Sequence, residues 1–186
     1  LNLCREYLVT NWNAKVTDGC EADDMLGVRQ TEDTVIVSID KDLLQIKGRH
    51  FNFVKMEEFF QTEFGGLKHF YEQLLKGDRS DNVPGVAGIG EKKASRLLEG
   101  CETEQEMFDI CRSIYNDDEL MSVYGKCLWI WREEGGIWDM SKLTGDSQPN
   151  CEEAEPSGST TPRQEETSQS LGLTTLETDG FHPVGL

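Results

Sequence analysis

The sequence predicts an α/β fold with a helical extension. Three observations carry this: a β-branched segment, Thr34-Val-Ile-Val-Ser-Ile-Asp40; an amphipathic repeat at Leu67, Phe70, Tyr71, Leu74 and Leu75; and further helical segments downstream without strand alternation between them. In chain order, residues 3–9 read as a short helix. Glu21 to about Gln30 is helical, with Ala22, Met25, Leu26 and Arg29 at helical spacing. Thr34–Asp40 is the clearest strand, its β-branched residues facing both ways, as in a strand covered on two sides in a parallel sheet. A second strand is expected over His50–Val54. The repeat from Leu67 to Leu75 follows the i, i+3, i+4, i+7, i+8 rule. After a glycine-punctuated segment, Ala94, Leu97 and Leu98 give a helix that Gly100 terminates. Helices over 104–115 (Met107, Cys111, Ile114) and 118–132 (Leu120, Tyr124, Leu128, Trp131) follow.

From Thr144 onward Ser, Thr, Glu, Gln, Gly and Pro dominate, and Phe181 is the lone aromatic in 43 residues. Such a segment buries too little apolar surface to offset its ordering entropy, so residues 144–186 are expected to be a disordered acidic tail. The formal charge of −17 is unevenly spread: residues 1–143 hold 27 acidic and 17 basic side chains, and the tail holds 8 and 1. Seven of the acids in the first part are clustered, and cations bound there would offset them. Net charge therefore does not exclude a nucleic-acid partner. The six cysteines include no C-x-x-C pair, so zinc spacing is absent and reduced thiols in an intracellular, cytoplasmic protein are expected. No apolar run approaches a membrane span, and no membrane association is expected.

The clustered acids form three groups: Glu21, Asp23 and Asp24; Asp40 and Asp42; Asp78 and Asp81. Carboxylates gathered without histidine or cysteine suit hard cations such as Mg²⁺ or Mn²⁺. Each group also has a plain structural reading. Acids favour the first turn of a helix, polar residues follow strands, and Asp and Asn shape loops. Three groups in sequence order weaken those readings jointly. Asp40 and Asp42 further lie beyond the carboxyl end of a strand, where open α/β sheets bind ligands.

The third group runs into Val83-Pro-Gly-Val-Ala-Gly-Ile-Gly90 and then Glu91-Lys-Lys-Ala-Ser-Arg-Leu-Leu98. This reads as a helix–hairpin–helix: Gly85, Gly88 and Gly90 permit close backbone approach to a phosphate, with Lys92, Lys93 and Arg96 adding positive charge. Such contacts hold the backbone and read no bases. A tight helix-to-helix turn that buries Val86 and Ile89 is the alternative. Dinucleotide and P-loop patterns both fail here.

The ordered combination Glu-Ala-Asp-Asp (21–24), Ser-Ile-Asp-Lys-Asp (38–42) and Gly-Asp-Arg-Ser-Asp-Asn-Val-Pro-Gly-Val-Ala-Gly-Ile-Gly (77–90) resembles the 5′ nuclease family, the 5′–3′ exonucleases and flap endonucleases of phage and bacterial type. Coverage runs over roughly residues 15–143. The resemblance implies a partial PIN-like core over 1–66, a helix–hairpin–helix and helical region over 67–143, and hydrolysis of DNA phosphodiesters. It implies two Mg²⁺ (or Mn²⁺) held by Glu21, Asp23, Asp24, Asp40, Asp42, Asp78 and Asp81, with no catalytic residue beyond these ligands. It also implies K⁺ at the backbone of Val83, Val86 and Ile89, a DNA partner (duplex or flap with a 5′ end) and a monomer. The family's first-strand aspartate and basic arch have no counterpart in 1–20, so an N-terminally truncated fragment, inactive alone, is expected. The alternatives are a non-catalytic DNA-binding module of the same fold and a PIN-type ribonuclease acting on hybrids.

Overall fold

The computed structural model describes residues 2–145. The tail expected over 144–186 lies outside the described residues apart from its first two positions. Helix α1 (Asn2–Trp12) buries none of its residues, and α2 (Ala22–Arg29) buries Gly27 alone. Leu26, expected on the inner face of α2, is exposed, because the helix meets the rest of the fold through the glycine.

The sheet has three strands in the order β1 (Val35–Val37), β2 (Gly48–Asn52) and β3 (Glu57–Gln61). The β1–β2 pair is parallel, with Val35 opposite Arg49; the β2–β3 pair is antiparallel, with His50 opposite Phe59. Three sequence expectations are corrected here. The first strand is three residues long rather than seven, and it is not covered on both sides: Val37 is 59% and Ile39 54% exposed. The sheet is mixed rather than parallel. A third strand exists where none was expected, since Glu57-Glu-Phe-Phe-Gln61 shows no regular alternation. Its turn carries no glycine. Instead Asn52 Oδ1 accepts from the N–H groups of Val54 and Lys55 at 3.1 and 3.0 Å, and Met56 takes a positive φ of 56°.

Helix α3 (Glu63–Lys76) is the centre of the molecule. The Thr62 hydroxyl caps it by accepting from Gly65 N–H, and Phe70, Tyr71, Leu74 and Leu75 are fully buried, as their spacing predicts. They pack with Val83, Ile89, Ala94 of α4 (Glu91–Leu97), Met107, Phe108 and Cys111 of α5 (Glu104–Tyr115), and Met121 and Leu128 of α6 (Asp118–Leu128). Each Val, Leu, Ile, Phe or Met among them contributes about 1.5–3 kcal/mol by leaving water. Helix α6 ends four residues earlier than expected: Trp129 is extended, and residues 130–132 lie outside any helix. A short α7 (Ser141–Thr144) follows. A smaller cluster of Ile36, Leu43, Ile46 and Ile130 joins the sheet to this post-helical segment. The α/β class with a helical extension is thus present as read from the sequence. Among the described residues no helix is long and apolar enough to cross a membrane, and no disulfide forms.

Candidate metal centre and nucleic-acid interface

The three acid groups converge, although they lie up to sixty positions apart in sequence. Carboxylate oxygens of Asp42, Asp78 and Asp81 all fall within 4.8 Å of one another. Asp42 opens a 3₁₀ turn (Asp42–Gln45) after β1, and Asp78 and Asp81 lie in the loop leaving α3. That loop is closed by a two-way bridge: Asp78 N–H donates to Val83 O and Val83 N–H to Asp78 O, both at 2.8 Å. Asp78 Oδ1 also accepts from Ser80 N–H at 2.7 Å, and Asn82 takes a left-handed φ of 58°.

The first group joins the same field. The Asp23 carboxyl is held above the ordinary carboxylate range by burial, then by the charges of Asp40, Glu21, Asp24 and Asp81. Asp42 is raised likewise by burial, then by Asp40 and Asp78, with a hydrogen bond from Gln73 opposing. Asp23 and Asp42 thus each feel acids of other groups, while Glu21 and Asp24 act on their neighbour Asp23. The ion pairs among the described residues (Lys47–Glu63, Arg49–Glu58 and Arg112–Asp118) involve none of them. Hard oxygen donors that repel one another without a basic partner fit a divalent cation.

The acids are not equivalent. Exposed Glu21 is the N-cap of α2, and its N–H donates to Asp24 Oδ2 at 3.1 Å. Asp24 Oδ1 accepts from Trp131 N–H at 3.1 Å, so this carboxylate first ties α2 to the segment after α6. Asp40 Oδ1 accepts from Asp42 N–H at 3.0 Å, which orders the turn between them.

Because folding raises the Asp23 and Asp42 pKa values, the folded chain takes up protons more readily than the unfolded one. Their repulsion opposes folding above the raised values and is relieved as pH falls to the ordinary carboxylate value of ~3.9. Mg²⁺ bound there would relieve the same repulsion at neutral pH. Added Mg²⁺ is therefore expected to raise the melting temperature at pH 7 and to raise it less near pH 4. An equal rise at both would contradict this origin.

The hairpin adjoins the acids through the Asp78–Val83 bridge. Gly85, at φ +63°, presses against the end of α3: a Cβ there would stand 2.3 Å from the Gly77 nitrogen. Gly90 differs. Its φ of −105° suits any residue, and a Cβ there would meet nothing within 4 Å. The fold needs glycine at 85 and does not need it at 90. Gly88 is equally open, though its φ of +77° is left-handed. Lys92, Lys93 and Arg96 are exposed, and Lys93 Nζ reaches back to Gly88 O at 3.4 Å. Val83 and Ile89 are buried in the core and Val86 packs against it, so the hairpin also serves as the tight turn considered above. The Val83 carbonyl accepts from Asp78 N–H and the Val86 carbonyl from Ile89 N–H at 3.1 Å, leaving each a second lone pair.

Gly85→Ala is expected to destabilise the fold strongly. Gly90→Ala is expected to cost only about 0.5–1 kcal/mol at an N-cap and yet to weaken duplex binding. Thermal melting beside a DNA titration checks both, and unchanged affinity for Gly90→Ala would show that nothing approaches that face.

Two features were not legible beforehand. A cleft of about 660 Å³ opens beside Asp40, lined among others by Lys41, Lys55, Lys76, His50 and Phe59. His69, on its wall, is lowered to about 4 by burial and by Lys76, so it is neutral at pH 7. Buried Gln45 and Gln73 connect Asp42 to the chain after α6. No spacing rule marks isolated Lys, His or Gln residues.

No family model matches the chain. Among curated proteins, it is 36% identical over 103 residues to a protein named DNA polymerase I from Borreliella burgdorferi, covering 46% of this chain and 11% of that protein. It is 33% identical over 120 residues to a 5′-3′ exonuclease of Mycoplasmopsis pulmonis (55% of this chain, 40% of that one). To the 5′-3′ exonuclease of Bacillus subtilis it is 35% identical over 109 residues (49% and 37%). Among solved structures, a mutant T5 5′-exonuclease aligns with a TM-score of 0.43 and 16% identity, over 66% of this chain and 71% of that chain. The chain thus spans about two fifths of these exonucleases and about a tenth of this polymerase. Over about half its own length it is similar to proteins named 5′-3′ exonuclease and DNA polymerase I, as its motifs indicated.

Proposed function

We propose that this chain carries part of the active site and the duplex grip of a metal-dependent 5′-3′ exonuclease or 5′ flap endonuclease acting on DNA. The observation that carries this is the meeting within 4.8 Å of Asp42, from the turn after β1, with Asp78 and Asp81, from the loop continuous with the glycine hairpin. The names of the similar curated proteins support it. In this reading residues 1–66 belong to a PIN-like catalytic domain and 67–143 form the helix–hairpin–helix and helical region.

Asp42, Asp78 and Asp81, with Asp23 and Asp40 in the same field, would hold two Mg²⁺ or Mn²⁺ ions, with Glu21 and Asp24 orienting α2. Bound there, such ions supply Lewis-acid activation of water and charge neutralisation at the departing oxygen. The carboxylates act as ligands, and no side chain serves as nucleophile. Gly88 and Gly90 admit the phosphate backbone, while Lys92, Lys93 and Arg96 attract it. K⁺ would be held, in this reading, by the backbone of Val83, Val86 and Ile89, where the Val83 and Val86 carbonyls keep a spare lone pair. The cleft beside Asp40 carries Lys41, Lys55 and Lys76 together with Glu57, Glu72 and Glu91, so its lysines can meet a phosphate only locally. A purely DNA-binding module gains nothing from gathering seven carboxylates that repel phosphate.

The test is cleavage of 5′-labelled flap, nicked duplex and RNA–DNA hybrid substrates by this chain and by any longer protein its gene encodes. The reading expects Mg²⁺-dependent release from the 5′ end, abolished by EDTA. Intact DNA substrates in every case would contradict it, and cleavage confined to the hybrid would favour the ribonuclease alternative.

A further inference from the structure

We propose that Gln73 and Gln45 form a buried amide brace that positions Asp42 in the metal cradle and links it to the segment that positions Asp24. The inference rests on the metal-binding reading of that cradle. Gln45 and Gln73 are 1% and 2% exposed, and primary amides persist at such depth only when their groups are bonded. Gln45 Nε2 donates to Gln73 Oε1 at 2.8 Å and to Leu128 O at 2.7 Å, while Gln45 Oε1 accepts from Ile130 N–H at 3.3 Å. The orientation of Gln73 follows. With its oxygen taken by Gln45, its Nε2 is left to donate to Asp42 Oδ1. The reverse orientation would set oxygen against carboxylate and N–H against N–H.

The anchor of this chain of bonds is the segment after α6. Arg132 donates to Gln45 O at 3.2 Å and stacks 3.7 Å above the Trp129 ring. Trp131 N–H holds Asp24 Oδ1 at 3.1 Å. Residues 128–132 therefore grip one acid directly and another through two amides. Asp42 needs such a restraint, because Asp40, Asp78 and Asp81 all repel it. A fixed donor on Oδ1 restricts rotation of the carboxylate and so steadies its distance from Asp78 and Asp81. Gln73 is thus a positioning residue, acting through Asp42.

The test is Mn²⁺ affinity of the 186-residue chain, read from free Mn²⁺ by electron paramagnetic resonance, beside thermal melting in EDTA. Gln73→Met keeps volume and removes the donor. It is expected to weaken Mn²⁺ binding by about 10- to 100-fold, the usual effect of losing a partner that orients a metal ligand. Gln45→Met, whose parent side chain bonds Gln73, Leu128 and Ile130 rather than the Asp42 carboxylate, is expected to weaken it as well, and the double variant to lose little more than Gln73→Met alone, because both act along one path. Should Gln73→Met fail to fold, Gln45→Met carries the test by itself. Variants that melt earlier yet bind Mn²⁺ within twofold of the parent chain would reduce the brace to a packing feature and overturn the inference. A parent chain that binds no Mn²⁺ would instead remove the cradle reading, and the inference with it.

Discussion

Replacing Asp42 by asparagine is expected to abolish Mg²⁺-dependent cleavage while leaving DNA binding intact or tighter. Asp42 belongs to the group of three carboxylates whose oxygens lie within 4.8 Å, and it feels Asp40, Asp78 and Asp81 most directly. Asparagine keeps an oxygen but loses the charge that holds a hard cation. Loss of a ligand should exceed the roughly 10- to 100-fold typical of residues one step removed from the metal. One negative charge fewer near the phosphate path lowers repulsion, which is why affinity should not fall. Parallel cleavage and binding assays on one flap substrate check this. Weakened binding with normal turnover at saturating DNA would contradict the role given to Asp42.

The second large effect concerns the hairpin. Lys92→Ala combined with Lys93→Ala is expected to weaken duplex binding and to flatten its salt dependence. Each phosphate contact contributes ~0.9 to the slope of log affinity against log salt, so two lost contacts lower it by about 1.8. Both lysines are exposed and follow the open Gly90 face, so the substitution should leave the core untouched. Binding measured from low to moderate salt separates this from a folding defect, which would lower affinity without changing the slope. An unaltered slope would place the phosphate elsewhere.

Much of this was legible in the sequence, and the reasons are specific. Leu67, Phe70, Tyr71, Leu74 and Leu75 announced α3 because one face of that helix sends four fully buried side chains into the core. The boundaries of α5 fell where Thr103 and Glu106 form a capping box, a signal written in local residue types. The acid groups were visible as residue types, but their convergence depends on β1, α2 and α3 meeting, and no spacing rule encodes that. The hairpin formed by β2 and β3 escaped notice because its turn is made by an Asn side chain rather than by glycine, and because β3 is mostly exposed. The two-sided cover expected of β1 failed for a related reason. β-branched residues on both faces report propensity, while cover depends on which other elements lie alongside. Gln45 and Gln73 illustrate the deepest limit: a buried glutamine and a solvated one look alike until their partners are known.

The most direct measurement of the central claim is anomalous diffraction from crystals of this chain soaked in Mn²⁺. A peak within ligand distance of the Asp42, Asp78 and Asp81 carboxylates is predicted, and it should vanish in Asp42→Asn. Well-ordered side chains with no peak among them, or a peak that survives that substitution unchanged, would contradict the account.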